Sequence, residues 1–235
     1  MANVRDYRTR IRSVKSTQQI TRAMKLVAAA KLRRAQERIV AARPYAQKMH
    51  QVLTSLAARA RPEGHPLLQR SAGEDIVVVV LTSDRGLCGS FNTNILNLAR
   101  RTLDDFVAGR GRPAGAPPVR RVRVDVVGRK ARDWFRRRSY EVRRTTVDIL
   151  RTLGADHARD LAAELVQGFT GGEFDAVHLV YNEFKSVIQQ RPVVEPFLPI
   201  PQDLLAGRAP AAGVVPGVGQ VAELAASAAE DAAHG

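Results

Sequence analysis

One cysteine, Cys88, in 235 residues leaves no intramolecular disulfide to form and gives no sign of an oxidising compartment. No run of 18 apolar residues occurs, so no segment is expected to cross a bilayer as a helix. The five histidines (His50, His65, His157, His178 and His234) lack metal-ligand spacing, and no Ser/His/Asp set can be assembled. Aromatic residues make up only 5% of the chain. A disulfide-stapled domain, a membrane-spanning helix and a zinc module are thereby set aside, and no catalytic constellation emerges. With 45% hydrophobic residues the chain can still build a core.

The first 61 residues lack glycine altogether and contain a single proline, Pro44. Ala, Arg, Lys, Leu and Gln dominate there, and all favour helix. Alternating steps of three and four give Tyr7, Ile11, Val14, Gln18, Thr21, Lys25, Ala28, Leu32, Ala35, Ile39, Ala42, Ala46, Met49, Leu53 and Leu56. Only Gln18, Thr21 and Lys25 interrupt this apolar seam, which is too sustained for a surface helix and predicts a coiled coil. Three polar residues in succession either fix a register or meet a different partner. Pro44 keeps the spacing and predicts a kink, and the rod is expected to stop at the breakers Arg61-Pro62-Glu63-Gly64-His65-Pro66.

Acidic residues are scarce where the basic ones gather. Residues 1–61 hold 15 Lys/Arg against 2 Asp/Glu, and residues 100–151 hold 16 against 6. Residues 152–235 reverse the balance, 4 against 11, within a net charge of +14. Arg5, Arg8, Arg12, Lys15 and Arg22 form one stripe on the predicted helix. It reads as a solvated basic face, a surface for an acidic partner, or a nucleic-acid contact. The missing aromatics weigh against nucleic acid, and the apolar seam favours a protein partner.

Two signatures carry a resemblance. The run STQQITRAMKLVAAAKLRRAQER at 16–38, followed by ARPYA, resembles the N-terminal helix of the gamma subunit of F-type ATP synthases. SDRGLCGSFN at 83–92 resembles a second gamma signature in the place that family has it, and VVGRKARDWFRRR at 126–138 adds to the match. The resemblance implies a central rotor shaft, half of an antiparallel coiled coil that turns inside a ring of alpha and beta subunits. It further implies epsilon-subunit and c-ring partners, no cofactor, no nucleic acid, and membrane contact only through the complex. Catalysis would belong to the partner subunits, with this non-catalytic rotor coupling proton flow to ATP synthesis. With no room for a presequence ahead of the family-like helix, the expected location is the cytoplasmic face of a bacterial membrane, peripherally bound. Gln18, Gln19, Thr21, Arg22, Met24 and Lys25 become the expected beta-subunit contacts, with Asp84 and Arg85 added from the second signature. Asp84 and Arg85 are also placed for a local ion pair.

Beyond the rod, Ile76–Leu81 is a β-branched run that predicts a strand buried on both faces. Gly86 and Gly89 in the following turn match neither the dinucleotide fingerprint nor the P-loop, so they are read as turn residues. Cys88 is expected as a small buried hydrophobe. A helix through Ile95, Leu103 and Phe106, a strand at 122–127, a basic helix through Trp134 and Phe135, an amphipathic helix at 156–169, and a hairpin over Val177–Phe184 and Lys185–Val194 follow. Strands separated by helices predict a mainly parallel sheet. The expected class is therefore α/β: a coiled-coil helix at 1–61, a linker at 62–74, a Rossmann-like domain at 75–198, and a low-complexity, disordered tail at 199–235. The resemblance ends near residue 198. A short helix is expected over Gln220–Ala233, too short for the family's C-terminal helix. Two other classes stay open, a nucleotide-binding Rossmann enzyme with a helical arm and a basic nucleic-acid-binding coiled coil.

Overall fold

The computed structural model describes residues 3–57, 65–69, 73–110, 117–149, 154–186 and 189–201. Nearly all of the expected tail, including the helix over Gln220–Ala233, lies outside them. The chain divides into two units, Met1–Gln51 and Val52–Gly235.

Helix α1 runs from Val4 to Ala57, 54 residues. At about 1.5 Å per residue it is about 80 Å long. It continues through Pro44. Threonines in its first third turn their hydroxyls back on the helix: Thr17 Oγ1 donates to the Ser13 carbonyl, and Thr21 Oγ1 to the carbonyls of Thr17 and Gln18, each at 3.0 Å. These hydroxyls are thereby satisfied locally. Every described side chain up to Ser55 is exposed except half-buried Leu32. Tyr7, Ile11 and Val14 are each more than half exposed.

The second unit is a five-stranded sheet with helices on both faces. Its elements are β1 (Asp75–Leu81), α2 (Phe91–Val107), β2 (Arg121–Val127), α3 (Arg129–Phe135), β3 (Glu141–Thr146), α4 (Ala155–Thr170), β4 (Ala176–Phe184) and β5 (Gln190–Leu198). The strand order is β3-β2-β1-β4-β5. The first four strands are parallel, and β5 pairs antiparallel with β4 as the predicted hairpin. β1 lies centrally because all six residues from Asp75 to Val80 are buried. Its alternation splits the core in two. Ile76, Val78 and Val80 pack with Ile95, Ala99, Leu103 and Phe106 of α2 and Ala131 and Phe135 of α3. Val77 and Val79 pack on the opposite face with Leu165 and Phe169 of α4 and with Phe174.

β3 was not foreseen. Its sequence, EVRRTT, lacks an apolar run. On the α4 side, β2 and β3 meet through charge instead. The Arg143 guanidinium grips Asp125 with two hydrogen bonds, Nε to Oδ1 at 2.9 Å and NH2 to Oδ2. Arg143 also lies 3.4 Å from Glu164 and 3.7 Å from Glu173, and Arg123 NH1 donates to Glu173 at 2.8 Å. Asp125 is buried, so its charge is tolerable only with these partners.

The segment expected as a linker holds structure too. A 3₁₀ turn at Pro66–Leu68 packs Leu67 on the α4-side core, and the Ile200 amide donates to the Leu67 carbonyl at 2.8 Å.

Candidate functional site

The expected interface residues fall into two groups, one in each unit. Gln18, Gln19, Thr21, Arg22, Met24 and Lys25 occupy just over two turns of α1, all exposed. Gln18, Thr21, Arg22 and Lys25 stand three, four and seven residues apart and share one face. Gln19 lies roughly 100° round the axis. Met24 is 48% exposed, a large apolar side chain left in water beside two cations. This stretch offers amides, guanidinium, ammonium and a flexible thioether, which suits a protein surface and holds no base or nucleophile pair for chemistry.

Asp84 and Arg85 lie in the loop between β1 and α2. Asp84 does not pair with Arg85. Its Oδ1 accepts from the backbone amides of Arg129, at 2.9 Å, and Asp148, at 3.2 Å. A carboxylate so placed ties three loops together at the carboxyl ends of β1, β2 and β3. Two charge-assisted hydrogen bonds from fixed backbone amides outweigh an exposed ion pair between sequence neighbours. The Arg85 side chain is exposed.

The rest of the loop is held from beneath. Asn92 Oδ1 accepts from the Ser83 amide at 3.0 Å, and Asn92 Nδ2 donates to Cys88 Sγ at 3.0 Å. Thr82 Oγ1 accepts from the Ala131 amide at 2.9 Å. Gly89 has φ +57°, as a tight turn requires. Leu87 also has a positive φ, +62°, and is 93% exposed. A leucine in this region costs on the order of 1 kcal/mol, so the clamp around it holds the tip against strain. Cys88 is exposed, contrary to its expected burial. The loop stands at the carboxyl end of the central strand β1 and leaves Cys88 in solvent, and burial there was decided by the position of the turn, which composition does not report.

Gly128 is the position that sequence reasoning passed over. Its φ is +100°, and a Cβ there would stand 2.2 Å from the Thr82 carbonyl oxygen. β1 and α3 approach each other at this point through bare backbone. The signal was present in the string Val-Val-Gly-Arg-Lys, a glycine where a strand turns into a helix.

The chain thus combines a long helix, most of whose described apolar seam residues are exposed, with a doubly wound sheet whose loops are tied by backbone-directed side chains. The ATP synthase family model matches residues 3–228. The chain is 49% identical over 203 residues to the ATP synthase gamma chain of Anaeromyxobacter sp. strain Fw109-5, covering 85% of this chain and 67% of that one. It is 45% identical over 201 residues to the gamma chain of Chloroherpeton thalassium, covering 85% and 64%. Among solved structures it resembles the Tetrahymena thermophila mitochondrial ATP synthase central stalk/c-ring, with TM-score 0.51 and 26% identity over 77% of this chain and 72% of that one. The chain belongs to the ATP synthase gamma-chain family. It spans about two thirds of the length of these curated relatives. The family match continues past residue 198, where the motif-by-motif resemblance ends, to residue 228. A low-complexity composition hid that part of the relationship.

Proposed function

We propose that this chain is the central-stalk rotor subunit of a proton-translocating F-type ATP synthase, itself non-catalytic, whose rotation couples proton flow to ATP synthesis in the beta subunits. Residues 1–61 are the shaft and 75–198 the α/β domain, with 62–74 joining them and 199–235 as the tail. Its partners are the alpha and beta subunits of the catalytic ring, the epsilon subunit and the c-ring. It sits peripherally at the cytoplasmic face of a bacterial membrane, meeting the bilayer only through the complex. The observation that carries this reading is α1: 54 residues of helix whose described apolar side chains, half-buried Leu32 apart, are exposed around a polar interruption at Gln18, Thr21 and Lys25. Each large side chain so left forfeits roughly 1.5–3 kcal/mol of burial, which a stator and a second helix would restore. Gln18, Gln19, Thr21, Arg22, Met24 and Lys25 contact the beta subunits, and Asp84 and Arg85 extend that interface from the loop after β1.

The test replaces Thr21 and Lys25 by Leu in a reconstituted complex. Leu keeps the helix and lengthens the apolar seam. Proton pumping per ATP hydrolysed is expected to fall while the complex still assembles. Unchanged coupling would remove these residues from torque transmission.

A further inference from the structure

Positive charge in the sheet unit concentrates on α3 and the turn after it. Part of it is neutralised in place, Arg129 by Asp148 and Arg132 by Asp133. Lys130 and the exposed Arg137 make no ion pair among the described residues. Arg138 is held in one position: its guanidinium lies 3.6 Å from the centroid of the Trp134 ring, and its NH1 donates to the Trp134 carbonyl at 2.9 Å. Lys130, Asp133, Trp134, Arg137 and Arg138 together line an open depression of about 550 Å³.

Lys130 lies in the first turn of α3, and Arg137 and Arg138 lie in the turn that follows Phe135, so the three cations reach one depression from both ends of the helix. Three cations line the depression against one carboxylate, Asp133, which offsets Lys130 only in part. Arg138 is already fixed by Trp134, so its outer edge is offered to a planar anion with little further loss of freedom. Tryptophan and arginine beside one another in a concavity are also the residue types that dominate binding energy at protein interfaces.

We propose that this depression docks an acidic polypeptide segment of a partner chain. Its carboxylates are taken by Arg138, Arg137 and Lys130. Asp133 decides between a polypeptide and a phosphate-bearing partner. Its hydrogen bond from Arg132 holds its carboxyl below the usual range, so it stays ionised. An ionised carboxylate inside the depression disfavours an anion that brings only acceptors, such as a nucleic-acid backbone, and leaves a place for a donor. A polypeptide brings backbone and side-chain N–H groups that Asp133 can accept from, along with the carboxylates its neighbours require. None of the lining residues is among those assigned to the beta-subunit interface, although the Lys130 amide donates to the Ser83 carbonyl of the loop after β1 at 3.1 Å.

The experiment follows fluorescence anisotropy of a labelled peptide of about twelve residues, alternating Glu and Ser, against the full chain near physiological salt. Arg137→Glu with Arg138→Glu is expected to weaken binding about tenfold or more, and Lys130→Glu by a smaller factor in the same direction. Arg8→Glu with Arg12→Glu, the same change in net charge placed on α1, is expected to weaken it by less than about threefold. Circular dichroism checks that each variant keeps its fold. Equal losses from the two pairs overturn the proposal, because the net charge of the chain would then account for binding. No binding to the unaltered chain overturns it as well. So does tighter binding of phosphatidylglycerol vesicles, or of a single-stranded oligonucleotide of about twelve bases, that is lost with the Arg137 and Arg138 substitutions.

Discussion

α1 and the sheet unit solve the same problem in opposite ways. In the sheet, Val77, Val78, Val79 and Val80 are wholly buried, and each face has its own helices. In α1, Tyr7, Ile11, Val14 and Met49 stand on the predicted seam and all are exposed. The sheet therefore carries its own core, while α1 rests on helix propensity and on the few tenths of a kcal/mol that an exposed pair such as Arg33–Glu37 contributes. Apolar periodicity forecasts burial in both regions. Among the described residues, only the sheet shows the other half of the contact. The difference separates a part that is stable by itself from a part that is stable in company.

The widest gap between the two regions is expected in hydrogen exchange. Amides of β1 and β2 should be protected at least about a hundredfold more than those of residues 7–35. Adding the C-terminal helix of a curated relative as a peptide should narrow the gap by slowing α1. Strong protection of α1 in a demonstrated monomer without that peptide would break the comparison.

Within the sheet, Asp125→Ala takes from the largely buried Arg143 guanidinium its two hydrogen bonds and leaves it only the longer contacts to Glu164 and Glu173. A loss of about 3–5 kcal/mol in chemical denaturation is expected. Gly128→Ala adds a Cβ against the Thr82 carbonyl at a positive φ and should cost about 3 kcal/mol by the same measurement. A cost below about 1 kcal/mol would mean that β1 and α3 can separate there without penalty.

Acid should act on the sheet and spare α1. His178 on β4 packs at a tilt against Phe106 of α2, with ring centroids 4.7 Å apart. Burial pushes its pKa down from 6.5 to about 4. Folded His178 thus stays neutral to about pH 4, whereas the unfolded chain takes up the proton below about pH 6.5. Its contribution is complete above pH 6.5, falls as pH drops through that window, and reaches a loss of about 3 kcal/mol below it. His178→Phe should flatten this part of the pH–stability curve. The smallest effect is expected from Ile11→Ala, which removes an exposed side chain. The denaturation midpoint of the sheet unit should stay within about 0.5 kcal/mol of the parent.

Local pattern was enough to read α1, because a period of three and four residues needs no knowledge of the rest of the chain. The same holds for the valine run of β1, the amphipathic α2 and α4, and the β4–β5 hairpin, whose signals lie within single segments. The residues proposed as the α1 interface were singled out as a polar break in an apolar seam. β3 was not legible, since Arg143 and Arg144 are strand residues only where Asp125, Glu164 and Glu173 come from other elements to meet them. The central position of β1 between β2 and β4, the use of Asp84 to tie backbone amides, the outward turn of Cys88 and the close approach at Gly128 were likewise settled by contacts between distant segments. Sequence by itself determined which stretches are helix or strand and which faces are apolar, because propensity and periodicity act along the chain. Tertiary structure decided which charges are paired and which side chains meet water, because those free energies depend on neighbours that only folding brings together.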